Sequence, residues 1–111
     1  MALLIKQSDL QSFREDGVVI LRGVFKECID ILANGADFHL NNPSERSLVH
    51  QNEKYQGQFL EDFCNWRRIP DYTDFIFNSN LSSSASTLMD SQTVTIFHAH
   101  FLYKDSKAGL T

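Results

Sequence analysis

In the N-terminal third of the chain, a segment with helical signals comes first and one continuous run of apolar residues follows it. The stretch Ser8–Asp16 begins with a helix-capping residue, and Gln11, three residues later, can complete a capping box. Gly17 supplies a helix stop that tolerates the left-handed conformation. The run Val18–Leu21 that follows is continuous and β-branched, which is typical of a strand buried on both faces. The pattern predicts a helix, a glycine and then a buried strand.

A second amphipathic pattern extends from Lys26 to Leu40 and predicts a longer helix, weakened at Asn34 and Gly35. Pro43 disfavours helix in the residue before it and closes the segment. Ser44–Gly57 is polar and shows no periodicity, so we expect a loop there.

The C-terminal part predicts two helices and a long strand. An aromatic block leads to Pro70, which suits the first position of a helix ending near Phe77. Ser79 or Asn80 can cap a further helix, whose apolar face would carry Leu81, Ala85, Leu88 and Met89. From Gln92 to Lys104 both alternating faces are mostly apolar, which predicts a strand covered above and below.

These elements predict an α+β fold and one domain spanning residues 1–111. A domain of this length buries only about 65% of its unfolded surface, so it folds with little margin. A long strand with nothing after it to pair with would be a bare sheet edge, which proteins rarely leave uncovered. We therefore expect an incomplete domain that lacks its other half.

Charge and hydropathy exclude several classes of partner. The net charge is −4, and the basic residues are scattered among acids, so no footprint for nucleic acid is visible. The apolar runs are too short to span a bilayer, and the N-terminus lacks a secretory pattern. Cys28 and Cys64 fit neither a C-x-x-C pair nor a zinc spacing and are expected to be reduced core thiols. The expectation is a soluble cytoplasmic protein without nucleic-acid or membrane partners.

His98 and His100 are the most suggestive residues for chemistry. Their spacing of two on a strand puts both imidazoles on one face, where they could share a metal or bracket an anion. The alternative is two partly buried, hydrogen-bonded histidines, since a metal needs at least one further ligand. Lys104, at the end of the strand, could pair with a carboxylate substrate or could protect a sheet edge from aggregation.

Arg67 and Arg68 beside Trp66 offer guanidinium forks that could bind a carboxylate or phosphate. Ordinary surface pairing with nearby acids is the alternative. These acids are Glu61, Asp62, Asp71 and Asp74. His39 and His50 have no spacing relation to other ligands and receive no role, and the common nucleophile and nucleotide motifs are absent.

Four stretches of the chain, taken in order, resemble the front part of one family, the phytanoyl-CoA dioxygenases. The stretches are Phe13–Phe25 (FREDGVVILRGVF), Gly57–Phe63 (GQFLEDF), Trp66–Pro70 (WRRIP) and Thr95–Lys104 (TIFHAHFLYK). Members of that family are non-haem Fe(II) and 2-oxoglutarate-dependent oxygenases built on a double-stranded β-helix, the jelly-roll or cupin-like fold. The resemblance implies that this chain contains the N-terminal helices and first strands of such a fold.

The resemblance also implies where the iron site would lie. In the family, the strand similar to Thr95–Lys104 is followed by a Pro-Trp-His-x-Asp type segment with two iron ligands, and a third histidine comes much later. None of these segments is in this sequence, so we expect no catalytic or metal-ligating residue here, no bound Fe(II) or 2-oxoglutarate, and no activity. What remains of the site would be cofactor-binding: His98, His100 and Leu102 facing the cosubstrate pocket, and Lys104 marking the end of its strand.

Two functional hypotheses follow from the sequence. The first is the N-terminal part of an oxygenase that hydroxylates a small organic substrate, with Trp66, Arg67 and Arg68 near the substrate entrance. The second is a small non-catalytic α+β protein whose exposed terminal strand pairs with a partner or with a second copy by β-augmentation.

Overall fold

The computed structural model describes residues 5–52 and 55–107, and within these ranges it contains four α-helices and one antiparallel sheet. The helices are α1 (Gln7–Asp16), α2 (Ile29–Asn41), α3 (Pro70–Asn78) and α4 (Leu81–Met89). The strands are β1 (Leu48–Asn52), β2 (Tyr55–Phe63) and β3 (His100–Lys104), in the order β1-β2-β3. The predicted α+β class is confirmed.

The predicted helices are confirmed, with small differences at their ends. The helix α1 starts two residues earlier than a Ser8 cap would give: its N-cap is Lys6, whose backbone N–H donates to the Asp9 carboxylate at 2.9 Å. Gly17 ends this helix as predicted, with a φ of 73° and its N–H on the carbonyl oxygen of Phe13. A short 3-10 turn at Lys26–Cys28 leads into α2.

The predicted strand at Val18–Leu21 is wrong. The segment has no regular structure, and Val18 and Ile20 are 65% and 70% exposed. A continuous apolar run becomes a buried strand only when a sheet offers it a free edge and cover on both faces. Among the described residues this segment joins neither outer edge of the sheet, and its exposed side chains show that it lacks cover.

The predicted loop at Ser44–Gly57 is also wrong, because β1 and the start of β2 lie within it. The two strands form an antiparallel pair in which Leu48 lies opposite Glu61 and His50 lies opposite Phe59. The sequence of β1, LVHQN, mixes apolar and polar residues without alternation, and its strand depends on pairing with β2, which is why the sequence did not reveal it.

The long strand expected from Gln92 to Lys104 is shorter in the structure and begins only at His100. Cys64 has a φ of 56°, turns the chain away after β2, and makes a last bond from its N–H to the Ala99 carbonyl oxygen. Residues 91–99 therefore have no strand beside them in the described structure, and Phe97 is 97% exposed.

The two faces of the sheet differ. On the inner face, Leu60 and Asp62 are fully buried, and the His39 ring of α2 stacks on Phe101 of β3 at 4.2 Å. The register puts a second set of residues together on the opposite side, which we call the outer face: Leu48, His50, Phe59, Glu61, Phe63, His100, Leu102 and Lys104. In the described part of the chain, the ring and ion-pair contacts of the outer face involve no helix.

The core is small for a chain of this length. Its buried apolar side chains in the described residues are Val24, Leu60 and Ile69. The radius of gyration is 16.5 Å, whereas a compact domain of this length has about 13 Å. Among the same residues, no helix combines the length and the apolar character needed to cross a membrane.

Candidate functional site

A chain of polar side chains is buried between α2, α3 and the inner face of the sheet. His39 of α2 lies 2.8 Å through its Nε2 from Asp62 Oδ2, and its Nδ1 lies 3.0 Å from the hydroxyl oxygen of Tyr72 on α3. Both His39 and Asp62 are completely inaccessible to solvent. Three elements that are distant in sequence are thus joined at one point.

Asp62 is saturated with hydrogen-bond donors. Its carboxylate accepts from the backbone N–H of Ser44 at 2.8 Å, from the Ser44 hydroxyl, from the backbone N–H of Phe63 at 2.8 Å and from His39. Burial alone raises the pKa of an acid, but here the bonds from Ser44 and His39 outweigh it and hold the pKa of Asp62 well below its usual range. The carboxyl group is therefore an anion at neutral pH, and among the described residues it has no arginine or lysine partner.

The anion at Asp62 fixes the direction of the hydrogen bonds. A carboxylate only accepts, so His39 carries a proton on Nε2, and in the neutral imidazole Nδ1 then accepts from the Tyr72 hydroxyl. Burial raises the pKa of Tyr72 to about 12; the nearby Arg68 charge opposes this shift, and the Asp62 and Asp71 charges add to it. The phenol therefore keeps its proton as the donor in this chain.

A cavity of about 340 Å³ adjoins this buried network. It lies between α2, α3, the turn after β2 and the start of β3, and its walls are mostly apolar. The lining residues are Leu32, Ala36, His39, Asp62, Cys64, Asn65, Trp66, Tyr72, Phe75, Ile76, Ala99, His100 and Phe101. The polar atoms of His39 and Asp62 are occupied by each other and by their neighbours.

The outer face carries a second charged cluster, which spans all three strands. Glu61 of β2 receives His50 Nε2 of β1 at 2.8 Å and lies 3.3 Å from His100 Nε2 of β3. The His50 ring lies edge-on to Phe59, and the His100 ring stacks on Phe63 at 4.4 Å. The cluster is partly exposed, so ligands could reach it from solvent.

Of the three residues predicted to bind a cofactor, the structure brings His98 and His100 together and places Lys104 further along β3. His98 precedes β3 and is exposed, with its ring centre 6.1 Å from that of His100. His100 and Lys104 share the outer face, but they lie roughly 13 Å apart at about 3.3 Å per residue. Lys104 has no ion-pair partner among the described residues.

Neither arginine pairs with the acids expected from the sequence. Arg68 donates to the carbonyl oxygen of Asn42 at 2.8 Å and to the side-chain oxygen of Asn65, so it holds the turn after β2. Arg67 lies over the Trp66 ring at 5.0 Å, a cation–π contact.

The cysteines are free, as predicted, but Cys64 is not a core thiol. It is exposed at the end of β2, and its Sγ lies 3.6 Å from His98 Nδ1. Within residues 5–52 and 55–107, no three His, Cys, Asp or Glu residues are grouped so that they could hold a metal ion.

Sequence reasoning missed His39, His50 and Asp62 as interacting residues. His39 continues the apolar positions Leu32 and Ala36 of α2 at intervals of four and three, which is the signal of a buried helix face. Asp62 could be recognised only once β2 was known as a strand, because its burial follows from alternation with Glu61.

Comparison with known proteins adds no relative. No family model, no curated protein and no solved structure matches the chain.

Proposed function

We propose that this chain forms the N-terminal part of an Fe(II)- and 2-oxoglutarate-dependent dioxygenase, similar to the phytanoyl-CoA dioxygenase family, that hydroxylates a small organic substrate. In this proposal the three-stranded sheet belongs to a double-stranded β-helix, and its outer face is one wall of the cosubstrate pocket. The chain itself supplies no iron ligand.

One observation carries the proposal. The stretch that resembles the family, Thr95–Lys104, includes β3, and its residues His100, Leu102 and Lys104 lie on the outer face rather than against the helices. A double-stranded β-helix is a sandwich of two sheets that enclose the site between their inner-facing side chains. The outer face here, with Leu102 57% exposed, is suited to receive such a second sheet.

The side chains of the outer face fit one part of the cosubstrate and not the metal. Lys104 brings an ammonium group without an ion-pair partner among the described residues, and His100 brings an imidazole; both can bind a carboxylate of 2-oxoglutarate. The described residues do not fit an iron triad, so the iron ligands would come from elsewhere in the polypeptide, as the resemblance implies. When bound, the iron would supply the oxidation chemistry.

The first test is the coding sequence after the codon for Thr111, read in frame and with allowance for one frameshift. The proposal expects a His-x-Asp segment within a few codons and a further histidine much later. A stop codon with no such segment in either frame would overturn it.

The second test is enzymatic and uses the product of the complete reading frame. With Fe(II), 2-oxoglutarate and oxygen we expect succinate, and Lys104→Met should raise the KM for 2-oxoglutarate about tenfold, the effect of one lost charge-assisted hydrogen bond. Lys107→Met is the matched control, since Lys107 is exposed and lies beyond the end of β3. Equal KM values for the two variants would remove Lys104 from the cosubstrate site.

A second candidate function is association through the sheet. β3 pairs with β2 on one edge, and in the described residues no strand lies on its other edge, so a strand from a partner or from a second copy could add there. Sedimentation analysis of the 111-residue polypeptide distinguishes the two: a stable, concentration-dependent dimer favours this candidate, and an ordered monomer contradicts its self-association form.

A further inference from the structure

Cys64 and His98 form a thiol–imidazole pair at the point where β2 ends. The Cys64 Sγ lies 3.6 Å from His98 Nδ1, within the range of a hydrogen bond that involves sulfur. Both residues are exposed. Ring contacts with Phe63 at 6.0 Å and with His100 at 6.1 Å hold the His98 imidazole on this side of the sheet.

The Arg46 guanidinium and the wall of a cavity lie beside the Cys64 backbone. The guanidinium of Arg46 donates to the Phe63 carbonyl oxygen at 3.1 Å and to the Cys64 carbonyl oxygen at 3.4 Å, so a cation lies beside the backbone that carries the thiol. Cys64 is also one of the residues lining the cavity between α2, α3 and the sheet, whose nearby walls include Trp66 and Ala99. The nucleophile and the base thus lie side by side, and the nucleophile also borders a recess that His98 does not line.

We propose that Cys64 is a site of thiol–disulfide exchange with low-molecular-weight disulfides, with His98 as the base. Nδ1 of His98 accepts the thiol proton, and the Cys64 sulfur attacks one sulfur of the disulfide. The S–S bond of the reactant breaks, and the departing thiolate takes the proton from His98. Cys64 is oxidised to a mixed disulfide, while the other half of the reactant is reduced to a free thiol.

This inference is independent of the proposed oxygenase function. It uses only the geometry of Cys64, His98 and their neighbours, and it requires no metal and no cosubstrate. Reversal needs a reducing thiol, which attacks the mixed disulfide in the same way and restores Cys64.

The test measures the rate of reaction with dithiobis(nitrobenzoate), a disulfide whose released thiolate is coloured. Cys28→Ser isolates Cys64, and the same chain with His98→Gln removes the base but leaves the thiol exposed. Near pH 6, below the ordinary thiol pKa of about 8.5, we expect the His98→Gln chain to react about tenfold more slowly, the low end of the effect of general-base removal. Above pH 9 the two rates should converge, because hydroxide then deprotonates the thiol.

Two controls separate this proposal from simple accessibility. In strong denaturant the two chains should react at the same rate, since the pair no longer exists. Cys64→Ser in the wild-type background should leave only a slow reaction at Cys28. If the chain with His98→Gln reacts as fast as the Cys28→Ser chain at every pH, or if Cys28 reacts faster than Cys64 in the folded wild type, the pair has no chemical role.

Discussion

The Nε2 atom of His39 lies 2.8 Å from Asp62 Oδ2, and both side chains are fully excluded from solvent. The contact ties α2 to the central strand of the sheet. A buried carboxylate is stable only while each of its donors is in place, because the interior supplies no water to replace them. Substitution of either side chain, or protonation of the Asp62 carboxylate, should therefore lower the stability of the fold strongly.

We expect Asp62→Asn to lower the free energy of unfolding by about 3 kcal/mol at neutral pH. The amide cannot accept from Ser44, Phe63 and His39 at the same time. Urea unfolding followed by circular dichroism measures the loss. Asp37→Asn, at an exposed site on α2, is the control and should change stability by less than about 0.5 kcal/mol.

The same pair predicts the acid dependence of stability. The pKa of Asp62 is depressed in the folded state, so its contribution is present above the ordinary value of 3.8 and is lost as the pH falls below that value. The difference between wild type and Asp62→Asn should therefore shrink when urea unfolding is repeated at decreasing pH below 3.8. If the difference in unfolding free energy stayed constant as the pH fell, the charge of the Asp62 carboxylate would make no contribution to stability.

Tyr72 should ionise at a pH well above the ordinary range of a tyrosine. Its pKa is raised from 10.0 to about 12, so its contribution to stability is complete below pH 10.0 and is lost as the pH rises toward 12. Spectrophotometric titration should show a late step that disappears in Tyr72→Phe. At neutral pH this variant should lose about 1–2 kcal/mol, because His39 Nδ1 is left without a donor.

Glu61→Gln tests the outer face and should behave differently from Asp62→Asn. Glu61 contacts two partly exposed imidazoles, so we expect a loss below about 1 kcal/mol. The loss should decrease further in high salt, which screens exposed charges and leaves buried ones less affected. If Glu61→Gln were as damaging as Asp62→Asn, the outer face would have to be buried in the protein as it exists in solution.

Gly35 of α2 marks a close approach to α3. A Cβ at this position would lie 2.7 Å and 2.9 Å from two ring carbons of Tyr72 and 3.2 Å from the Cβ of Asp71. The Tyr72 ring is held by its bond to His39 and cannot easily move aside. We therefore expect Gly35→Ala to destabilise the protein by about 1–3 kcal/mol, although alanine favours helix by about 1 kcal/mol. Asn34→Ala, at an exposed neighbouring position, should be neutral or slightly stabilising in the same thermal unfolding measurement.

The helices were predictable because their signals are local. Gly17 marks the end of α1 and Pro70 marks the start of α3 through their own backbone preferences, and the structure confirms both positions. The strands were not predictable in the same way. Val18–Leu21 has the composition of a buried strand but no partner strand, whereas β1 has no strand-like alternation and is a strand because β2 lies beside it. Strand pairing depends on residues far apart in the sequence, which composition does not encode.

In the candidate site, too, local features were predictable from the sequence and long-range contacts were not. The spacing of His98 and His100 predicted that both rings lie on one face of a strand, because alternation along a strand is a local property; the two rings are in contact at 6.1 Å between their centres, although only His100 lies within β3. The His39–Asp62 pair joins residues 23 positions apart and depends on how α2 packs against the sheet. No local pattern distinguishes such a histidine from an exposed one, apart from its place on the apolar side of the helix.

The adjacent acids Glu61 and Asp62 have a consequence for the fidelity of strand pairing. They point to opposite faces of β2, one toward two imidazoles and the other toward the Ser44 and His39 donors. If β2 slipped by a single residue, each carboxylate would meet the wrong environment: Glu61 would be buried beneath α2, and Asp62 would lose its donors. A shift of β2 by one residue therefore costs free energy at both carboxylates. Electrostatics thus favours the correct register of β2, which the small apolar core alone would favour only weakly.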